Sequence, residues 1–231
     1  MLPKIDYPVY SCELPIDNQT VKFRPFNLNE EKLLLTAKEE SPLAFLTQID
    51  NVIKNCLMNN IEIKYLVDFI YLFNHIRTKS KGEKVEGTIT CEHCKKPTPV
   101  SIDLLGSLKV LNQANKKKLV QVSDNLGFEI VPIKKSIIHE NIDINNEIDI
   151  AKYSILYSIN KVIYNEKIYD EFTIDELQTN IIDNLTTNQL EKVLTVIADM
   201  PALVFKYEIK CINCGNVMKY EESDFGAFFT L

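Results

Sequence analysis

The sequence predicts an α+β chain, mainly helical, with short β-hairpins and a zinc-ribbon-like four-cysteine module formed by two distant Cys-x-x-Cys knuckles. Three observations predict it. Apolar residues recur at helical spacing in several long segments, while strand-like alternation is confined to short runs bounded by Gly, Pro, Asn or Asp. Two cysteine pairs, Cys91/Cys94 and Cys211/Cys214, interrupt such runs, and each run resumes after a tight turn.

Taken in order, the N-terminal stretch is extended, because Pro3, Pro8 and Pro15 exclude regular helix and "TVKFRPF" alternates until Pro25. "NLNEEKLLLTAKEE" predicts a helix with Asn27 or Asn29 as N-cap and acidic residues in its first turn. Ser41 caps a second helix with Pro42 at its first position, and Leu43, Leu46, Ile49, Ile53 and Leu57 follow at helical spacing. A third, roughly 63–79, carries Leu66, Ile70, Phe73 and Arg77. Residues 85–104 read as strand, knuckle, strand; "LVQVSDNLGFEIVPI" reads as a hairpin turning at Asp124 to Gly127. "NNEIDIAKYSILYSIN" returns to helix, and "KVIYNEKIYD" turns near Asn165. Thr173 with Glu176 makes a capping box for a helix reaching about Asn184, and Thr186 or Thr187 caps another that ends near Met200. The domain organisation predicted is one unit over 1–231. An extended arm and helical layer occupy 1–84, the paired knuckles 85–104 and 204–222, and hairpins and helices 105–203.

Composition narrows the class. The 231 residues, 45% hydrophobic and 25% charged, suit an ordinary globular protein, and the first 15 residues lack the apolar core of a signal peptide. A soluble, cytosolic protein with no membrane span is expected. A net charge of −6 disfavours a dedicated nucleic-acid binder, although Lys116 to Lys118 are consecutive and Lys134 and Lys135 follow. Those lysines read as solvated turns.

Of six cysteines, four lie in the two pairs, Cys56 reads as a buried thiol, and Cys12 has no assigned role. In a reducing compartment, four such cysteines point to metal rather than disulfides. Zinc takes four tetrahedral ligands and one Cys-x-x-Cys supplies two, so Cys91, Cys94, Cys211 and Cys214 together complete one structural Zn2+ site per chain. The 116 residues between Cys94 and Cys211 far exceed a usual ribbon spacing. Closing that loop rather than one of ~18 residues costs only about 1.7 kcal/mol more. Structural zinc contributes on the order of 10 kcal/mol. The competing readings are two separate reduced knuckles or a redox pair; Pro97, Pro99 and the β-prone flanks oppose the helix that a redox pair opens. His93, inside the first knuckle, is the reserve ligand. Gly215 follows the second pair as the left-handed turn residue, where the first pair has Lys95.

Catalytic motifs do not emerge. The three histidines form no zinc-protease motif, "GEKVEGTI" lacks the lysine of a phosphate loop, and no Gly-x-Ser-x-Gly occurs. With a coordinatively closed metal, the chain reads as a non-enzyme with no small-molecule substrate.

Three stretches carry a resemblance. "VKFRPFNLNEEKLLLTAKE" (21–39), centred on Phe23, Arg24, Pro25 and Phe26, is similar to the N-terminal motif of the baseplate hub assembly proteins of T-even-type contractile-tailed bacteriophages; "YPVYSCELP" before it is a looser match. "YLFNHIRTKSKGEKV" (71–85), with Arg77, Lys79, Ser80, Gly82 and Glu83, resembles that family's middle motif. The second cysteine pair followed by Phe225, Gly226, Phe228 and Phe229 resembles its closing aromatic motif, with Phe225-Gly226 in place of a Gly-Leu pair. The resemblance implies assembly of the baseplate hub, or a structural place in it, through contacts with other phage hub or tail proteins. It implies action in the host cytoplasm during tail assembly and a place in the virion baseplate.

The contact residues so implied are Phe23, Arg24, Phe26, Arg77, Lys79, Phe228 and Phe229. Two readings stand for Arg24: a contact hot spot between aromatics, or an internal partner for an acidic side chain. For 77–83 they are a contact patch, or a helix end and polar turn closed by Gly82. The alternative function is a regulatory zinc-ribbon nucleic-acid binder using Lys95, Lys96 and Lys116 to Lys118.

Overall fold

The computed structural model describes residues 6–143 and 146–223. Its first elements, β1 (Tyr10–Glu13) and β2 (Thr20–Phe23), pair antiparallel, Tyr10 opposite Phe23, so the arm folds back on itself as a hairpin. Alternation in "TVKF" sends Val21 and Phe23 inward. Helix α1 (Leu28–Glu40) starts on a reciprocal cap: Glu30 N–H donates to Asn27 Oδ1 at 3.0 Å, and Asn27 N–H donates to Glu30 Oε2 at 2.8 Å. Helix α2 (Pro42–Cys56) is capped by Ser41, and α3 (Leu66–Lys81) ends at Gly82, whose φ of 111° few other residues tolerate. These elements enclose the first core, which includes Phe23, Ile53, Phe69, Leu72, Phe73 and Ile76, with Cys56 fully buried among them.

The chain then enters the cysteine module. Strands β3 (Lys84–Thr90) and β4 (Pro97–Asp103) form a hairpin, and a single helical turn, α4 (Leu104–Ser107), leads into β5 (Leu108–Leu111). The middle of the chain supplies β6 (Lys118–Ser123), β7 (Leu126–Ile130), α5 (Glu147–Leu156), β8 (Ile159–Tyr164), β9 (Lys167–Tyr169), α6 (Ile174–Asn180) and α7 (Thr187–Ala198). Its four strands form one antiparallel sheet in chain order, covered by the helices over a core that includes Phe128, Ile130, Ile155, Leu156 and Val193. Finally β10 (Ala202–Lys210) pairs with β5 on one side and β11 (Val217–Glu222) on the other. Val85, Ile102, Leu104, Leu203 and Phe205 make the core between this sheet and the first knuckle hairpin, joined by Ile16 and by Val67 of α3.

The units share residues. Ile70 and Tyr71 pack against both the first core and the module, and a 3-10 turn (Lys135–His139) ties the middle sheet to α2 and α3. In that turn Lys135 Nζ donates to the buried Asp50 at 2.7 Å, and Lys135 N–H donates to Lys64 O at 2.7 Å.

The predicted mainly helical character is not what the chain adopts. About 39% of the structure is helix and 30% strand, in four sheets. Two features account for the difference. Residues 108–111 give no strand signal by themselves, because four residues are too short for an alternation pattern; they become β5 by adding to the edge of β10. The hairpin expected at 119–133 and the hairpin or loop expected at 161–170 fuse through the β7–β8 pairing, a non-local contact that no local pattern encodes.

Asp68 of α3 is fully buried and accepts the backbone N–H groups of Ile16 (2.8 Å) and Asp17 (3.1 Å), fixing the chain between β1 and β2. Burial raises its carboxyl to about 6, the two N–H donors opposing it. A folded value above the unfolded one of about 4 means stability is fully present below pH 4 and is lost as pH rises toward 6. Urea unfolding should therefore show the native chain losing stability relative to Asp68→Asn across that window. A pH-independent difference between the two would contradict this.

Candidate metal centre

Each half of the site is a strand, a six-residue turn (91–96 or 211–216) and a returning strand. In the first knuckle, Cys91 N–H donates to Lys96 O at 2.9 Å and Lys95 N–H to Cys91 O at 2.9 Å; in the second, Cys211 N–H donates to Asn216 O at 2.8 Å and Gly215 N–H to Cys211 O at 2.9 Å. The two turns are thus superimposable in their bonding, and both need a left-handed residue before the second strand. Gly215 supplies it at φ 74° and Lys95 at φ 58°. The expected repeat is present in the backbone.

The knuckles face one another. Cys91 Sγ lies 3.7 Å from Cys214 Sγ, and Cys94 Sγ lies 3.7 Å from Cys211 Sγ, so each contact crosses between hairpins. All four sulfurs fall within 4.8 Å of one another. A disulfide requires about 2.05 Å, far shorter than these contacts. Four sulfurs at the ends of 2.3 Å bonds around a tetrahedral zinc stand about 3.8 Å apart. The donor set and spacing therefore fit one tetrahedral thiophilic ion. His93 is exposed and outside the cluster.

Neighbouring groups favour thiolate at one corner. Thr98 Oγ1 donates to Cys211 Sγ at 3.3 Å and Asn213 N–H donates to the same sulfur at 3.4 Å. The Thr98 hydroxyl is the largest influence lowering Cys211, to about 5, against desolvation and together with the N–H groups of Cys214 and Asn213. Cys214 moves the other way, to about 12: the N–H of Asn216 lowers it, but desolvation and the three facing cysteines prevail. The surroundings thus favour thiolate at Cys211 and oppose it at Cys214, where a bound cation would favour loss of the proton. Asn213 Nδ2 also donates to Pro97 O at 3.1 Å, joining the knuckles beside the sulfurs. Below them a small apolar cluster of Cys91, Ile209, Cys211 and Met218 closes the module.

The other residues singled out in the sequence fall into two groups. Phe23 and Phe26 are buried, and Arg24 forms a two-pronged pair with Glu30 at 2.7 and 2.8 Å while its guanidinium lies 5.1 Å from the Tyr7 ring centre. Burial alone would raise Glu30, but hydrogen bonds from Arg24 and Asn27 hold it below the ordinary carboxylate range. Lys79 pairs with Glu83 at 2.9 Å and sits 5.5 Å from the centre of the Tyr10 ring. Arg77 is 4% exposed. Phe228 and Phe229 lie outside the described residues. The two stretches 21–39 and 71–85, remote in sequence, are in contact: Phe26 N–H donates to Ser80 Oγ at 2.9 Å, and Glu31 pairs with Lys81 at 2.9 Å.

Sequence reasoning missed Thr98 and Glu30. Both had a signal. Alternation along β4 puts Thr98 on the inner face with Ile102, and the capping position of Glu30 already placed its carboxylate beside Arg24. The lysine run is also resolved: Lys116 Nζ donates to Ile16 O at 2.6 Å, Lys117 pairs with Glu129 at 2.6 Å, and Lys118 pairs with Asp199. Among the described residues no helix is long and apolar enough to cross a membrane.

Fold and site together define an α+β protein in which two distant knuckles bring four thiols together. Over residues 7–230 the chain matches the family described as T4 bacteriophage base plate protein, and it belongs to that family. The resemblance read in the sequence holds at the level of a T4-type phage baseplate protein, with a structural role among other phage proteins and a place in the virion baseplate. No curated protein and no solved structure matches the chain.

The turn geometry gives a direct test. A Cβ at Gly215 meets nothing within 4 Å, so Gly215→Ala should cost about 1 kcal/mol through its positive φ alone. Lys95→Gly should gain about 0.5–1 kcal/mol, because glycine relieves the same conformation. Thermal unfolding of metal-loaded protein checks both; equal melting temperatures for all three proteins would contradict the argument.

Proposed function

We propose that the chain is a component or assembly factor of the phage baseplate hub, acting through protein–protein contacts and held in shape by one structural zinc. The observation that carries this is the closed set of four facing thiols in a member of a baseplate family. Four protein ligands leave no open position for substrate or activated water, which suits a staple and not a catalyst. The chain is accordingly read as a non-enzyme.

Acting in the host cytoplasm while tails assemble follows from the same reading. The nucleic-acid alternative finds less support, because Lys116, Lys117 and Lys118 each have an internal partner and the net charge is −6. Recovery of the tagged chain from infected cells should bring hub proteins with it, identified by mass spectrometry. Recovery only with proteins from outside the hub would contradict the hub assignment.

The metal has its own test. Purified protein should carry about one zinc per chain, as the four-ligand rule requires. Cys91→Ser and Cys211→Ser should each lower both zinc content and stability, and the double variant should be little worse than either single one, since one shared site is lost once. Additive losses in urea unfolding would mean that the pairs do not share an ion.

A further inference from the structure

The geometry points to a carboxylate-binding cleft between α1 and α3, with Arg77 in its floor, that receives an acidic side chain set among apolar residues on a partner protein. This deepens the baseplate reading by naming the chemistry of one contact, and rests on it.

Two independent observations meet there. The first is an arginine without a counter-ion. Arg77 is 4% exposed, its Nη1 is closed off from solvent and hydrogen-bonds nothing among the described residues, and it enters none of the ion pairs found among them. A buried guanidinium ordinarily sits against a carboxylate, because leaving it unpaired costs several kcal/mol. Burial lowers its proton affinity with nothing opposing.

The second is the space beside it. Arg77 lines a cleft of about 30 Å³ walled by Phe26, Leu35, Phe45 and Phe73. Room for roughly two waters is also room for the two oxygens of one carboxylate. Lys38 and Lys81 stand at the same cleft, whereas its one acidic residue, Glu31, is already paired with Lys81. The local charge is therefore positive in a chain whose net charge is −6.

Charge complementarity selects the occupant. An acidic side chain would supply Arg77 with the two-oxygen acceptor that its planar fork fits, while the aromatic and leucine walls cover apolar neighbours in the partner. A bare inorganic anion would leave those walls uncovered. Leu35 is half exposed at the cleft and is where such a segment would lie.

The test is a photoreactive phenylalanine analogue at position 35 of the full chain, made in infected cells, with linked peptides sequenced by mass spectrometry. A linked phage tail protein whose peptide contains Asp or Glu beside apolar residues is expected. Arg77→Met should lower the yield on the order of 100-fold, since a desolvated charge pair is lost. It should leave the melting temperature of the isolated chain unchanged or higher, because an unpaired buried charge has gone; Arg77→Lys should keep part of the yield. Any of four results overturns the proposal. These are an unchanged yield in Arg77→Met, a linked peptide without an acidic residue, a melting temperature lowered by Arg77→Met, and no link beyond the chain's own residues 224–231. Hub proteins recovered with the tagged Arg77→Met chain as efficiently as with the native one would sink this cleft and leave the hub assignment standing.

Discussion

Much of this structure depends on four sulfurs being brought within 4.8 Å by strands that are remote in sequence. The first knuckle sits on a two-stranded hairpin and the second on the edge hairpin of the three-stranded sheet β11-β10-β5, and isolated hairpins are at best marginal in water. The apolar cluster beneath the sulfurs is small, with Cys91, Ile209, Cys211 and Met218 at its centre. So small a cluster suits the proposed staple, the role a tetrahedral ion fills in small domains. The module also reaches distant parts of the fold. The same β10 strand that leads to Cys211 pairs with β5 and presents Phe205 and Leu203 to the core shared with Val67 of α3 and with Ile16. The ends of a 116-residue segment are thereby fixed against the N-terminal helices.

The N-terminal unit solves a different problem. Several of its charged groups are neutralised by internal partners: Glu30 by Arg24, Asp50 by Lys54 and Lys135, Glu31 by Lys81. Buried pairs of this kind contribute little net stability but are costly to break, so they fix geometry more than they add to it. Here Arg24 with Glu30 holds the arm on α1, Lys135 with Asp50 holds the 3-10 turn on α2, and the more exposed Glu31–Lys81 pair joins α1 to the end of α3. Buried Asp68 instead takes two backbone N–H donors, whereas Arg77 Nη1 finds no partner among the described residues, a local inconsistency of the sort that functional sites create.

What the sequence reveals follows the range of the interactions. Local chemistry is legible: Asn27, Ser41, Thr173 and Gly82 do at their helix ends what their side chains dictate, and Gly215 takes the left-handed turn. The four metal-ligand candidates are legible because chelation demands four ligands and the chain offers two matching pairs. Pairings between distant strands are not. β5 gains its conformation from β10, and the continuity of the four-stranded sheet arises only when β7 meets β8. For the same reason the sequence leaves Arg24 between two readings, whereas the structure pairs it with Glu30.

Whether the two knuckles hold a single zinc in common is read out by X-ray absorption at the zinc edge on the purified chain. One shell of four sulfurs at about 2.3 Å is expected. A mixed shell of two sulfurs with nitrogen or oxygen at about 2.0–2.1 Å would contradict it, because each knuckle would then be completing its site from somewhere other than its partner.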